Sequence, residues 1–305
     1  MLLGLIRDPD PADPVDAKNG SLETIALADC LGLRQVQLCA RDERDLDLII
    51  ETTERIRIGL GAARLNGRSP GAKARDLRAM QDRAGGRLVL GLPSDTSPGA
   101  RREAETLETL VSEPGLCPLS ADLPTDPRFP IAPPRPEILG LPVTGTPQEA
   151  AASAALGRLI LSPAWITPQA LSWHWPAIVA GATHARRRVH PAHWHVARCV
   201  MVSDDPDAIA RFTNGPVRAY LMRCGVAETD LRRLLPHLVI AGPAARVASA
   251  ISRMRNRVGP FGVLHCIDPG GDAAPVRETL TRMVRDVLPA LDGNAPDRAR
   301  QMEPV

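Results

Sequence analysis

Aromatic side chains are scarce in this sequence: one Tyr, three Phe and four Trp among 305 residues. That excludes the row of base-stacking platforms on which single-stranded nucleic-acid binders rely. It also leaves the core to Leu, Ala, Val and Ile, which the 44% hydrophobic content can supply. An excess of one charge is missing too. The net charge is +2, and Arg-rich runs such as Arg186-Arg187-Arg188 stand in mixed-charge, helical surroundings, the pattern of a solvated helix end rather than a phosphate track. No nucleic-acid partner is expected. The six cysteines (Cys30, Cys39, Cys117, Cys199, Cys224, Cys266) form no C-x-x-C pair, so neither a zinc knuckle nor a redox motif is signalled. Long apolar runs are absent: the N-terminal one, 1–6, is interrupted by Gly4 and ends at Arg7-Asp8-Pro9, short of a signal-peptide core or a membrane span. A soluble cytoplasmic protein with no membrane partner is expected. There is no G-x-S-x-G, Walker loop or G-x-G-x-x-G, which leaves hydrolase, kinase and Rossmann dehydrogenase readings without a carrier.

What the chain does have is alternation. Short apolar runs at 2–6, 34–38, 56–60, 87–91, 137–143, 158–161, 195–202 and 261–267 read as strands. Between them lie amphipathic segments with start and stop signals. Ser21 precedes one and Gly32 ends it, Pro70 opens another that Gly85-Gly86 closes, and Thr146-Pro147, Thr167-Pro168 and Asp205-Pro206 each read as N-cap followed by N1 proline. Pro243 and Pro275 open the last two helices. Eight strands alternating with eight helical segments predict an α/β (β/α)₈ TIM barrel, with its site at the C-terminal strand ends. One domain over 1–305 is expected, with the tail from 292 flexible. The proline-dense stretch at about 113–136 reads as a rim loop, or else as a linker.

The segment "TERIRIGLGAARLNGRSPGAKARDLRAMQDRAGGRLVLGLPSD", residues 53–95, resembles the central block of the bacterial luciferase-like flavin-dependent monooxygenases. "LPVTGTPQEAAASAALG", "LILSPAWITPQALSWHW", "HWHVARCVMVSDDPDAIAR", "AGPAARVASAISRMRNRVGPFGVLHC" and "ETLTRMVRDVLPAL" resemble that family's later segments in the same order, closest to its limonene-monooxygenase-like branch. The resemblance implies a TIM barrel, reduced FMN as cosubstrate with F420 as the lesser alternative, molecular oxygen, a small organic substrate and a separate flavin reductase. It also implies a homodimer or a heterodimer with a related subunit. The sequence departs from the family at two places. The loop after strand two is short and carries Cys39, Ala40 and Arg41 where the family has an acidic residue and histidines, and Pro93-Ser94 stand where luciferases proper have a phosphate-binding arginine. These departures keep open a second reading, a non-catalytic luciferase-like subunit that pairs with an active paralogue or binds a ligand without turnover.

The residues themselves nominate a site. Thr144, Gly145 and Thr146 fall between a strand end and a helix start, where hydroxyls and free N–H groups converge with the helix dipole on an anion such as the FMN phosphate; simple helix capping is the competing reading. The cofactor set implied is Gly61, Ala62, Ser94, Thr144, Gly145 and Thr146, with Cys39 and Trp165 as pocket walls. Arg198, a cation inside a strand, needs either an internal carboxylate or a ligand. His265, expected near the rim end of the last strand, is the other catalytic candidate. "HPAHWH" (His190, His193, His195) places His193 and His195 on one strand face, but no nearby carboxylate or Cys completes a ligand set and no metal is expected.

Overall fold

The computed structural model describes residues 1–7, 17–38, 45–60, 69–92, 106, 139–270 and 272–293. Among the described residues, nine strands form one curled sheet: β1 (Leu2–Arg7), β2 (Gln35–Gln37), β3 (Arg57–Leu60), β4 (Leu88–Leu92), β5 (Leu139–Pro142), β6 (Ile160–Ser162), β7 (Trp194–Val202), β8 (Val239–Gly242) and β9 (Val263–Asp268). Every pairing is parallel, in the order β5-β4-β3-β2-β1-β9-β7-β6, with β8 attached to β7. The two ends of that path meet: Val143 and Leu161 form a parallel bridge, and the Thr144 N–H donates to the Leu161 carbonyl at 2.9 Å. Parallel strands need crossover connections, and among the described residues helices such as Ala17–Cys30, Pro70–Arg83 and Ala244–Val258 supply them.

All eight strands read from the sequence are present within a few residues of the expected bounds. The ninth, β8, escapes the pattern because its four residues follow helix Glu228–Leu238 with no turn residue between. β7 is shared along its length. Its first half pairs with β9 (His195↔Val263 to Arg198↔Cys266) and its second half with β8 (Cys199↔Val239 to Val202↔Gly242).

The two faces of the sheet separate with period two, as strand geometry requires. Leu3, Leu5, Val36, Ile58, Leu88, Leu90, Trp194, Val196, Leu264 and Cys266 pack with helix residues such as Ile25, Leu77, Ile178, Ile251 and Leu280. The alternate residues Val89, Leu161, Ala197, Cys199, Met201 and Ile267 form a second cluster with Phe212, Val217, Tyr220 and Leu221. The stretch after β7 therefore covers the inward face of the strands.

Local chemistry fixes the helices. Thr146, Thr167 and Asp205 cap helices Pro147–Ala155, Pro168–Leu171 and Pro206–Phe212, each with proline at N1, as expected. Two expectations shift. The first helix is Ala17–Cys30 and starts before Ser21. The helix expected after Thr167-Pro168 divides into Pro168–Leu171 and His174–His184, because Pro176 cannot donate to a preceding turn and so belongs in a new first turn. Entry to β3 is held by Asp29, whose carboxylate accepts the backbone N–H groups of Glu54 (2.7 Å), Arg55 (3.1 Å) and Ile56 (2.7 Å). Helices Pro147–Ala155 and His174–His184 approach so closely at Gly181 that a Cβ there would overlap the Ala151 carbonyl.

Candidate active site

The exit of β5 carries the expected anion loop, and the structure shows who occupies it. Thr144 is buried, with its hydroxyl 3.4 Å from the Leu161 carbonyl. The N–H groups of Gly145 and Thr146 both donate to Glu149 Oε2, at 2.7 and 3.1 Å, while the Glu149 N–H donates to the Thr146 hydroxyl at 3.3 Å. This is a capping box: two orphan helix donors end on a carboxylate from the first turn. The donor set suits an anion oxygen, and the chain supplies that oxygen itself. With Glu149 seated, the Gly145 and Thr146 N–H groups are taken, and an anion arriving at this loop would meet the carboxylate.

Behind β6 and β7 lies a buried polar cluster the sequence did not announce. Ser162 Oγ lies 2.9 Å from His174 Nδ1 and accepts the Trp194 indole N–H at 3.0 Å. These three residues come from β6, a helix and β7, so only the tertiary fold assembles them. Burial pushes the His174 pKa down to about 4, against an opposing pull from Glu149. Trp194 is flanked by Trp175, stacked at 5.7 Å, and by Phe261, edge-on at 6.2 Å.

Arg198 belongs to the same helix-facing side and is fully buried. No carboxylate among the described residues pairs with it. Its Nη1 donates to the carbonyls of Ala197 (2.7 Å) and Pro163 (3.4 Å), and Nε and Nη2 have no partner among the described residues. Burial lowers its pKa to about 10, which still leaves it charged at neutral pH. Its geometry makes it an anchor for the β6 exit, the turn that carries half-buried Trp165.

His265 is not at the rim. The register Gly4↔His265 sets it in the third position of β9, beside the early part of β1. There it is fully buried, with His265 Nε2 3.0 Å from His195 Nδ1. Its ring fills the space that a side chain at position 4 would need, so Gly4 is where the backbone admits an imidazole. His193, expected to share a strand face with His195, lies in the turn Pro191–His193 before β7 begins. Gln35 and Gln37 of β2 stand near Gly59 in the same period-two relation, with Gln37 Nε2 donating to the Leu60 carbonyl. Burial raises the thiol pKa values of Cys199 and Cys266, the latter to about 12, so neither is a thiolate nucleophile. Cys39, Gly61, Ala62 and Ser94, like Ala40, Arg41 and Pro93 and the proline-dense 113–136 stretch, lie outside the described residues.

No protein-family model matches the sequence, and no curated protein sequence does either. Solved structures do match. The monooxygenase RslO1 from Streptomyces bottropensis is 20% identical, with a TM-score of 0.75 over 95% of this chain and 99% of that one. The FMN-bound oxygenating constituent of 3,6-diketocamphane monooxygenase from Pseudomonas putida, a type II Baeyer-Villiger monooxygenase, is 16% identical, with a TM-score of 0.73 over 95% and 98%. The coenzyme F420-dependent tetrahydromethanopterin reductase from Methanopyrus kandleri is 15% identical, with a TM-score of 0.64 over 95% and 99%. The fold is the luciferase-like fold. It extends over nearly the whole chain. Among the described residues, no helix is long and apolar enough to cross a membrane.

Proposed function

We propose that this chain is a flavin-dependent monooxygenase that oxidises a small organic substrate with molecular oxygen and reduced FMN delivered by a separate reductase. The observation that carries this reading is the near-complete superposition on an FMN-bound monooxygenase, together with the ordered luciferase-like segments of the sequence. In this reading the sheet is a (β/α)₈ barrel closed at the Val143–Leu161 bridge, residues 1–305 form one domain, and the protein works in the cytoplasm as a homodimer or a heterodimer.

Bound reduced flavin supplies the electrons that activate oxygen, so the protein need only position, enclose and hydrogen-bond. The apolar inward cluster of Cys199, Met201, Val89 and Ile267 under Tyr220 and Leu221 keeps water from the inner end of such a pocket. Trp165 serves as a pocket wall and Arg198 fixes its turn. Cys39, Gly61, Ala62 and Ser94 remain the other pocket and cofactor residues of the proposal. The Thr144–Thr146 loop contributes to phosphate binding only when Glu149 turns out.

That last condition favours a second reading, the non-catalytic subunit. A chain whose own carboxylate fills its anion loop keeps the barrel without the grip on FMN. F420 is the alternative cofactor, since an F420-dependent reductase shares the fold. Oxygen uptake by the purified chain with FMN, a flavin reductase and NADH, above that of the reductase alone, supports the monooxygenase. Copurification with a related subunit, with no uptake and no flavin bound, supports the subunit.

A further inference from the structure

A cleft of about 850 Å³ opens between the helices that follow β7 and the inward-facing side of β8, whose Val239 and Ala241 pack at the edge of the inward cluster. It shares no residue with the β5 exit or with the Ser162–His174–Trp194 cluster. Its floor is apolar: Val239 and Ala241 of β8 are half-exposed while Ile240 and Gly242 between and beyond them are buried, so alternate side chains of this strand face open space. Ile209 and Leu235 complete that floor. One wall is the π-helical turn Thr213–Val217, which contains Pro216 and brings Thr213 and Asn214 to the cleft. π-turns are rare and recur at functional sites, and here Pro216, which has no N–H to donate, interrupts the α-helical ladder.

The charge of the lining is one-sided. Among the described residues, Glu228 is its only acidic one and is already ion-paired with Arg218. Arg232 and Arg246 line the same cleft, are exposed, and have no carboxylate in ion-pair range among the described residues. An apolar floor with a few convergent polar groups, at this volume, is the usual form of a small-molecule site. We propose that this cleft binds an organic anion with an apolar body, its aliphatic part against Ile209, Leu235, Val239 and Ala241 and its carboxylate at Arg232 and Arg246.

The test is calorimetric titration of the purified full chain with decanoate and, separately, with 1-decanol, repeated on the double variant Arg232→Ala/Arg246→Ala. Both arginines are exposed, so circular dichroism of the variant should match the wild type. The proposal expects decanoate to bind the wild type about tenfold or more tighter than decanol, and the variant to lose that advantage while its decanol affinity stays the same. Equal affinity for acid and alcohol, equal decanoate affinity in the two proteins, or no decanoate binding overturns it. So does a dimer that the variant dissolves, which would make the cleft an interface between copies.

Discussion

His195 Nδ1 and His265 Nε2 share a hydrogen bond of 3.0 Å across β7 and β9, with their rings stacked 5.1 Å apart and both side chains buried. One nitrogen must donate and the other accept, so the pair is held as neutral imidazoles. Burial drives both pKa values down, His265 to about 4 and His195 well below the usual histidine value, the latter helped by the nearby charges of Arg57 and Arg34.

The sign of the pH effect follows. Above about pH 6.5 the folded and unfolded chains both hold neutral histidines, and there is no linkage. Between about pH 6.5 and 4 the unfolded chain takes up protons that the folded chain refuses, so stability falls as pH falls. Each such histidine should cost on the order of 1–2 kcal/mol by about pH 5, before most carboxylates titrate. Urea unfolding from about pH 7 to 5 measures it. His265→Asn should lower stability at every pH but flatten the slope; an unchanged slope in that variant, or a flat wild-type curve, contradicts the assignment.

Asp29 gathers three backbone N–H groups at the start of β3. Asp29→Ala leaves those donors without their acceptor and should cost about 2–4 kcal/mol, since hydrogen bonds to a buried charge exceed the neutral kind. Chemical denaturation reads the loss directly. A change under about 0.5 kcal/mol, the scale of ordinary surface substitutions, would show that water replaces the carboxylate.

Glu149 separates capping from anion binding at the β5 exit. Glu149→Ala frees the Gly145 and Thr146 donors, at a stability cost of about 0.5–1 kcal/mol for half of a capping box. If the loop serves the FMN phosphate, the variant should bind FMN more tightly than the wild type while riboflavin affinity stays constant. Equal gains for both flavins, or no gain for FMN, would restrict the loop to capping.

The legible part of this molecule is the part governed by local rules. Period-two runs marked eight strands, and Thr-Pro and Asp-Pro pairs marked the helix starts at 147, 168 and 206, because a cap and its N1 proline act within one turn. Strand β8 was hidden by its direct continuation from a helix. His265 was misplaced because its depth depends on the β1–β9 register, which no local signal sets. The partners of Ser162, His174 and Trp194 span 32 residues, and those of His195 span 70; such separations are resolved only by the tertiary fold. Arg198 was rightly flagged as a cation in need of partners, yet backbone carbonyls of its own neighbours met part of that need. The anion loop was legible as an N-terminus, and the rival for its donors, Glu149, sits three residues after Thr146 in the Thr-x-x-Glu spacing of a capping box, a signal that the strand-end reading of the loop left unused.

The central claim is that this chain holds a flavin. Titration of the purified protein into FMN, followed by quenching of flavin fluorescence with riboflavin and F420 in parallel, tests it most directly. The account predicts saturable binding of FMN at one flavin per chain; absence of binding by all three contradicts it.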